Sequence, residues 1–470
     1  MGRRGLVLTL ILGSALLPAG AAAQSGGDPC RPAGLSHSLC TGVEKLAERA
    51  SAECRRPGVA TDSQCASPVG LRVDRGAVDA FEGGFTHRAL AFQSALADDL
   101  PLSNAPWVGT HNSYNSPSEL PTISHTDSNQ QLSTTDQLRM GVRSLEIDVH
   151  WFPSARGPGF APVVCHARPG SEGHAGCSTE RLLGEVLADI EAWLDANPGE
   201  VILLYLEDHL QSAPAYQAGA AAIDSTLGQR VYRPATPAGG CESLPLDIAR
   251  DDIRAAGKQV LIVGRCGAGP WAERVFDWGG AAEPHVESNS STWSAPCGGF
   301  TRPTYEAKLV RYYEDRTWVG TTPAGGSLGP SSGITPQKAR EMTLCGVDLT
   351  GLDQLLPGDG RLEATVWSWA DGEPGTGDCA AQRADGRWIS ADCAGSRPAA
   401  CRSTADGSWS VVGPAGPKSG AAAACASAGR VAAAPRTGRE NDLLRIAASG
   451  AEPWLGLSGS GGSFAADDAR

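Results

Sequence analysis

Two acidic residues lie two positions apart in the segment RSLEIDV, residues 143–149. If this segment is a strand, that spacing puts the carboxylates of Glu146 and Asp148 on one face and the intervening apolar side chains on the other. In a barrel the second face lies beneath helices, so we expect both acids to point into the interior near the end of the strand. Because two buried like charges repel each other, a cation should lie between them, either an arginine or a metal ion.

Four further polar residues lie just after apolar segments of the chain: Glu207 after VILLYL (201–206), His111 and Asn112 after the segment at 106–109, and His166 after the segment at 162–165. The active site of a β/α barrel is assembled where the carboxyl ends of its strands meet. We therefore expect these side chains to lie close to the acidic pair. A coincidence of so many polar residues at strand ends is hard to explain by structural roles alone.

The residue types at this rim suit a hard cation beside a phosphate. Carboxylate and amide oxygens are preferred by calcium, whereas zinc would favour histidine or cysteine. The predicted calcium ligands are Asn112, Glu146, Asp148 and Glu207. Two imidazoles beside such a cation suit phosphoryl chemistry, because one can act at the attacking side while the other protonates the leaving oxygen.

The elements that would position these residues alternate between strands and helices. Strands are predicted at 106–109, 143–149, 162–165, 201–206, 259–263 and 362–367, and helices at 179–196 and 247–256. The Gly/Ser/Pro-rich segments at 214–246 and 279–336 are predicted to be long loops. This alternation predicts an α/β fold with a TIM-type β/α barrel, a disulfide-stapled N-terminal extension and a small cysteine-containing C-terminal module.

Changes in composition predict four regions in the chain of 470 residues. Arg3 and Arg4, a short apolar run and small residues before Gln24 have the order of a secretory signal, so we expect a signal peptide at 1–23 and a secreted protein, extracellular or periplasmic. The other predicted regions are the N-terminal extension at 24–92, the catalytic barrel at 93–374 and an accessory module at 375–470. No later segment has the uninterrupted apolar length of a transmembrane helix.

The cysteine content and the charge narrow the protein class further. The chain has 14 cysteines, and an even number of cysteines in an exported chain predicts disulfides. Cys165/Cys177 and Cys379/Cys393 are the preferred pairs. The chain has 39 basic and 52 acidic residues, a formal net charge of −13. Such a surface repels phosphate backbones, which argues against a nucleic-acid partner and against broad electrostatic docking on anionic membranes.

Four of these segments resemble one known family. Residues 109–114 (GTHNSY), 143–148 (RSLEID), 163–166 (VVCH) and 201–209 (VILLYLEDH) are similar, in family order, to the catalytic X region of calcium-dependent phosphatidylinositol-specific phospholipases C. The resemblance implies that His111 and His166 are the catalytic pair, with His166 as general acid to the departing lipid alkoxide. It also implies that Glu146, or else His111, helps to take the proton from the attacking inositol 2-hydroxyl, and that the four oxygen donors bind Ca²⁺.

The same resemblance suggests the substrate. In the metal-free bacterial branch an arginine stands in for calcium, but here the corresponding strand carries Glu146 and Asp148, which favours the metal-dependent branch. Arg265, after QVLIV, is the one plausible cation for the substrate ring, which favours plain phosphatidylinositol over polyphosphorylated head groups; a solvated residue at the rim is an equal alternative for Arg265. The predicted function is a secreted calcium-dependent phosphoric diester hydrolase that meets its phospholipid substrate at a membrane surface and releases diacylglycerol and a (cyclic) inositol phosphate.

Two alternatives remain open at this point. A glycerophosphodiester phosphodiesterase is another barrel with His, Glu-x-Asp and His, but that family begins with His-Arg-Gly, where this chain has His111-Asn-Ser. The second alternative is a non-catalytic surface-binding protein that uses its C-terminal module. Residues 365–401 and 422–458 weakly resemble the closing and opening parts of a C-type lectin domain, in the wrong order for one domain. A glycan or other surface ligand is possible for that module, and a structural cap on the barrel is an equal alternative.

Overall fold

The computed structural model describes residues 54, 56–60, 66–67, 70–119, 128–157, 159–167, 173, 175–235, 241–267, 269–279, 284–294, 296–300, 302, 307–318 and 333–467. The predicted signal peptide and most of the predicted extension up to residue 65 lie outside these residues. No helix in the described part of the chain has the length and apolar character needed to cross a bilayer.

The described residues up to 365 contain twelve strands and eight α-helices. The strands are β1 (Ala66–Ser67), β2 (Gly70–Leu71), β3 (Trp107–Thr110), β4 (Ser144–Ser154), β5 (Gly159–Val164), β6 (Ile202–His209), β7 (Val231–Tyr232), β8 (Val260–Gly264), β9 (Phe276–Asp277), β10 (His285–Asn289), β11 (Leu309–Tyr313) and β12 (Leu349–Leu352). The helices are α1 (Arg75–Glu82), α2 (Phe85–Leu96), α3 (Thr134–Arg139), α4 (Leu183–Ala196), α5 (Ala213–Ser225), α6 (Arg250–Ala255), α7 (Pro336–Cys345) and α8 (Arg361–Thr365).

The main sheet is parallel and curled, as the alternation of strands and helices predicts. Its order is β10-β11-β12-β3-β4-β6-β8-β7, with β9 beside the end of β8 and β5 antiparallel to β4. Within the described residues β9 and β10 share no backbone pairing, and the rings of Trp278 and His285 stack across this gap at 4.3 Å. The α/β barrel expectation is therefore confirmed, in an incompletely closed form.

The two faces of β4 are occupied as the spacing predicts. Leu145, Ile147 and Val149 are fully buried in the core beneath the helices, together with the apolar stripe of α4. The other face points into the barrel, whose lower interior is filled by a separate apolar cluster that includes Trp107, Leu203, Leu261, Leu309 and Leu349. Glu146 and Asp148 lie above this cluster on the interior face, each about one-twentieth exposed. The strand thus carries two charges inward over an apolar floor.

Three sequence expectations about these elements are wrong. Residues 361–365 form α8 rather than a strand, and the segment at 162–165 belongs to an antiparallel hairpin rather than to a parallel barrel strand. The predicted loops contain α5, β10 and β11. Helix α5 begins at an N-cap, Ser212, and buries mostly small side chains, Ala215, Gly219 and Ala220 with Ile223, so its apolar stripe is weak in the sequence.

A second sheet forms the C-terminal module. Its strands are β13 (Cys379–Gln382), β14 (Trp388–Ala391), β15 (Arg397–Arg402), β16 (Trp409–Gly416), β17 (Val431–Ala432), β18 (Trp454–Ser460) and β19 (Ser463–Ala466), and its helices are α9 (Ala421–Ser427) and α10 (Gly438–Ala448). β18 pairs with β13 and with β15, so the two stretches that resemble parts of a C-type lectin domain share one sheet. The disulfides expected from sequence, Cys165–Cys177 and Cys379–Cys393, are present, with Cys241–Cys266, Cys297–Cys345 and Cys401–Cys425.

The module packs on the amino end of the barrel. Leu96 of α2 shares a core with Trp367, Trp369 and Trp388, and Gln93 accepts hydrogen bonds from the backbone that leads into the module. A cavity between the two parts is lined by Trp107, Glu200 and Asp348, which lie at the starts of strands, and by Thr437 to Glu440 of the module. The opposite, carboxyl end of the barrel is the end at which the predicted site residues follow their strands.

Candidate active site

His111 is held by a buried aspartate that follows the neighbouring strand. His111 comes directly after β3 and Asp353 directly after β12, and these two strands are paired. The Nδ1 atom of His111 lies 3.2 Å from Oδ2 of the fully buried Asp353. Asp353 also accepts from the backbone N–H of Arg316 at 2.6 Å, and Gln130 donates to the carbonyl of His111 at 2.7 Å. The aspartate thus fixes the ring orientation of the histidine and leaves Nε2 facing the barrel mouth.

The charges around His111 favour its protonated form. Burial by itself disfavours the imidazolium, but the nearby carboxylates of Asp353 and Glu146 outweigh it and raise the pKa of His111 to about 10. Burial raises the pKa of Asp353 to about 7, although His111 opposes that shift. The Nε2 atom lies 3.8 Å from Oε2 of Glu146. One imidazole therefore lies between two carboxylates, one at each nitrogen.

A buried ion pair supports the backbone of Asp353. Arg361 Nη1 lies 2.5 Å from Oε2 of Glu314, and both side chains are almost completely buried. The same Glu314 oxygen accepts from the backbone N–H of Asp353 at 2.7 Å, while Arg361 donates to the Asp353 carbonyl at 2.9 Å. The pair holds the peptide of the residue that orients His111.

Replacing Arg361 with alanine should lower the free energy of unfolding by about 3–5 kcal/mol, because Glu314 would be left as a buried charge without its main partner. The measurement is urea unfolding of the full chain. Arg383→Ala is the control, since Arg383 pairs with Asp385 at 3.1 Å on the surface, with both side chains about half exposed. Equal stability losses in the two variants would contradict the role of the buried pair.

Arg311 supplies the cation expected beside Glu146. It lies on β11 inside the barrel, with Nη2 3.4 Å from Oε1 of Glu146 and Nε 3.3 Å from Oε2 of Glu287. Its guanidinium also lies over the rings of Tyr205 and Tyr313, at 4.9 and 5.1 Å from their centroids. Burial disfavours the guanidinium charge, but Glu146 and Glu287 more than compensate and raise the pKa of Arg311. The arginine therefore remains charged within the barrel.

Asp148 has an excess of negative charge around it. Burial, together with the neighbouring Glu207 and Glu146, raises the pKa of Asp148 well above its usual range. Glu207 is its register partner on β6, which places both side chains on the same face of the sheet. Asn112, at φ 45°, lies beside them: in the amide orientation that satisfies its neighbours, its nitrogen donates to Asp148 Oδ1 at 3.1 Å and its oxygen accepts from His111 Nε2 at 3.1 Å.

Glu207 lies at the edge of this group with two histidines. Its Oε1 atom is 3.3 Å from Nε2 of His209, and the hydrogen bond from His209 lowers the pKa of Glu207 despite partial burial. The ring of His209 stacks on that of His150 at 4.3 Å between centroids and 9° between planes. The side chain of Glu207 is 44% exposed, so this carboxylate is the one that solvent reaches most easily.

His166 contacts the same loop that carries His111, whereas Arg265 interacts with Asp208. Asn115, in the loop after β3, bonds to Nδ1 of His166 at 3.3 Å and to Asn129 at 2.7 Å. Arg265 is exposed, and its charge acts on the carboxylate of Asp208. Burial raises the pKa of Asp208, while Tyr216 and Arg265 oppose that shift. Substrate binding by Arg265 stays a prediction.

The side chains that the structure brings together can be tested as calcium ligands. Their donors are carboxylate and amide oxygens, which suit calcium, and the raised pKa of Asp148 marks a point where positive charge would be stabilising. In the described chain no three acidic, histidine or cysteine side chains already form a metal cluster. Arg311 and His111 now offset charge on Glu146, and His209 does so on Glu207. The donor chemistry fits the ion, which would compete with these internal cations.

Sequence reasoning missed Asp353 and Arg311. Asp353 follows the apolar segment LTGL at the end of a strand, the same signal that identified Glu207. Arg311 had no such signal, because it interrupts the strand LVRYY and hides its apolar pattern. Its direction into the barrel follows from the register of β11 against β12 and from its contact with Glu146, neither of which can be read from the segment alone.

Comparisons with known proteins match most of the chain. Residues 66–359 match a family model described as the Rv2075c PI-PLC-like domain. The uncharacterized protein Rv2075c of Mycobacterium tuberculosis H37Rv is 45% identical over 430 residues, which cover 87% of this chain and 86% of that protein. The PI-PLC X domain-containing protein At5g67130 of Arabidopsis thaliana is 27% identical over 120 residues, 25% of this chain and 26% of that one.

Two solved phospholipase C structures are similar to this chain at lower identity. The phosphatidylinositol-specific phospholipase C from Listeria monocytogenes is 17% identical, covers 59% of this chain and 97% of its own, and has a TM-score of 0.41. A calcium-dependent phosphoinositol-specific phospholipase C from the Gram-negative bacterium Pseudomonas sp. is 17% identical, covers 54% of this chain and 91% of its own, and has a TM-score of 0.31.

Proposed function

The chain belongs to the Rv2075c PI-PLC-like domain family and is a phospholipase C-like phosphodiesterase, and we propose that it is a secreted, calcium-dependent enzyme that cleaves phosphatidylinositol to diacylglycerol and a (cyclic) inositol phosphate. The observation that carries the proposal is His111, whose Nδ1 is bound to Asp353 and whose Nε2 faces Glu146 at the carboxyl end of the barrel. The leader-like residues 1–23 and the five disulfides that join pairs of described cysteines support secretion.

The attacking side of the reaction is assigned to Glu146 and His111. Glu146 accepts the proton of the inositol 2-hydroxyl, which attacks its own phosphate. His111, whose protonated form is favoured between Asp353 and Glu146, donates from Nε2 to a phosphate oxygen. Arg311 limits the repulsion between Glu146 and the phosphate, because its guanidinium lies 3.4 Å from that carboxylate.

The leaving side is assigned to His166. It protonates the diacylglycerol oxygen as the bond to phosphorus breaks, so that a neutral alcohol leaves rather than an alkoxide. Asn115 lies 3.3 Å from its Nδ1, and we assign the transfer to Nε2. The loop after β3 thus supports both histidines, since it also contains His111.

Calcium would be held by Asp148, Glu207, Glu146 and the side-chain oxygen of Asn112. When bound, the ion supplies positive charge that offsets charge on the phosphate. The chain's own contribution is to keep these acids on one interior face of two adjacent strands, with Asp148 and Glu207 in register. The charge excess at Asp148 is what supports the assignment.

Removal of calcium with a chelator should lower the rate of phosphatidylinositol cleavage by at least about 100-fold, and added calcium should restore it. The measurement is diacylglycerol release in buffers of fixed free calcium. Asp148→Asn should shift the calcium requirement upward. Asp208→Asn is the control, because Asp208 bonds to Tyr216 and is not an assigned ligand. Full activity in chelator would reject the metal assignment.

The substrate class is tested by offering phosphatidylinositol vesicles and glycerophosphocholine to the same preparation. We expect diacylglycerol to be released from phosphatidylinositol. We expect no cleavage of glycerophosphocholine to glycerol phosphate. Preferential cleavage of glycerophosphocholine would favour a glycerophosphodiester phosphodiesterase. Absence of cleavage of both, with calcium present, would leave the barrel as a scaffold and contradict the enzymatic proposal.

A further inference from the structure

The hairpin formed by β4 and β5 extends beyond the candidate active site and has an exposed apolar face. Its strands pair in register from Val149 with Val164 to Ser154 with Gly159. A strand rises ~3.3 Å per residue, so Pro153, which follows Asp148 along β4, lies about 17 Å beyond it. The strand that carries the two predicted metal ligands therefore continues directly into this projection.

Four apolar side chains share one face of the hairpin. Trp151 pairs with Pro162 and Pro153 with Phe160, and residues two apart on a strand lie on the same side. Phe160 is 57% exposed and Pro153 is exposed, while Trp151 and Pro162 are half-buried. The rings of Trp151 and Phe160 lie 6.0 Å apart. We call this set, Trp151, Pro153, Phe160 and Pro162, the hairpin face.

The hairpin is fixed to the barrel on its other side. Phe152 packs against the buried Cys165–Cys177 disulfide, and the backbone N–H of Ala155 donates to Ser178 at 2.7 Å. Arg156 pairs with Glu185 of α4 at 3.2 Å between Nε and Oε2. The hairpin face is therefore presented by an element whose opposite side is anchored, so little order has to be gained on binding.

We propose that the hairpin face inserts into the interface of a lipid bilayer and holds the barrel mouth against it. This inference rests on the proposed function, which places the scissile bond of a lipid at that mouth. The charge of the chain favours an apolar mode of docking: the net charge of −13 opposes attraction to anionic lipids, whereas residues 151–162 contain Arg156 as their only charged side chain. Tryptophan and phenylalanine are the side chains that anchor proteins at membrane interfaces.

The test is sedimentation of the full chain with neutral phosphatidylcholine vesicles that contain no phosphatidylinositol. Phe160→Ser should lower the vesicle partition coefficient about tenfold, because the transfer of a largely exposed phenyl ring is lost. Ile446→Ser is the matched control: Ile446 is 59% exposed and lies on α10 of the C-terminal module. Binding of the unaltered chain should change little between low and high salt, since charge attraction is not its source.

Three outcomes would overturn the inference: no sedimentation of the unaltered chain, equal binding by Phe160→Ser, or an equal loss in Ile446→Ser. A shift from dimer to monomer in Phe160→Ser with unchanged vesicle binding would instead assign the face to a second copy of the chain, and would also overturn it. Turnover of a soluble, monomeric phosphodiester separates membrane insertion by the hairpin face from the proposed cleavage. Phe160→Ser should keep its turnover on that substrate and lose turnover on vesicles. Since the vesicles in the binding assay hold no substrate, failure of the proposed cleavage would leave the partition result intact.

Discussion

His111→Ala should lower kcat for phosphatidylinositol by about 1,000-fold while changing KM little. The reason is that His111 is the group assigned to donate to the phosphate, and a positioned acid or base contributes rate rather than binding. Its Nε2 faces Glu146 and the amide of Asn112, and its Nδ1 is held by Asp353. The measurement is steady-state release of diacylglycerol at saturating calcium.

Two variants make the His111 result specific. Asp353→Asn should cause a smaller loss of kcat, because the ring remains but its orientation and the preference for its protonated form are weakened. His87→Ala should change kcat little, because His87 lies on α2 and lines the cavity at the opposite end of the barrel. Activity of His111→Ala within tenfold of the unaltered enzyme would contradict its assigned role.

His166→Ala should lower turnover of the natural lipid by about 100- to 1,000-fold. The loss should be much smaller for a diester with an aryl leaving group, because such an oxygen departs without a proton. The experiment compares kcat on the two substrates for the variant and the unaltered enzyme. An equal loss on both substrates would remove His166 from the role of general acid and leave it as a structural residue.

The inward direction of the acids could be predicted because it depends only on strand periodicity. The alternation in RSLEIDV places Glu146 and Asp148 on one face whatever the rest of the barrel does, and the apolar residues between them are buried beneath the helices. The stripe of α4 was equally clear, since six large apolar side chains share one face. Local periods of this kind survive without tertiary information.

The residues that complete the site depend on long-range register. Arg311 and Glu146 are far apart in sequence and meet because β11, β12, β3 and β4 lie side by side in that order. A strand is predicted at 362–367, but Arg361 pairs with Glu314 and Asp359 and residues 361–365 are helical. Tertiary ion pairs overrode the local preference there, which no single segment could have indicated.

The most direct test of the central claim is phosphorus NMR of phosphatidylinositol during its cleavage in the presence of calcium. The assigned attack by the inositol 2-hydroxyl, with Glu146 and His111 on one side and His166 on the other, predicts that a cyclic inositol phosphate appears as the first product and that it forms about 1,000-fold more slowly in His111→Ala. An open-chain phosphate monoester as the first signal, or an unchanged lipid signal, would contradict the account.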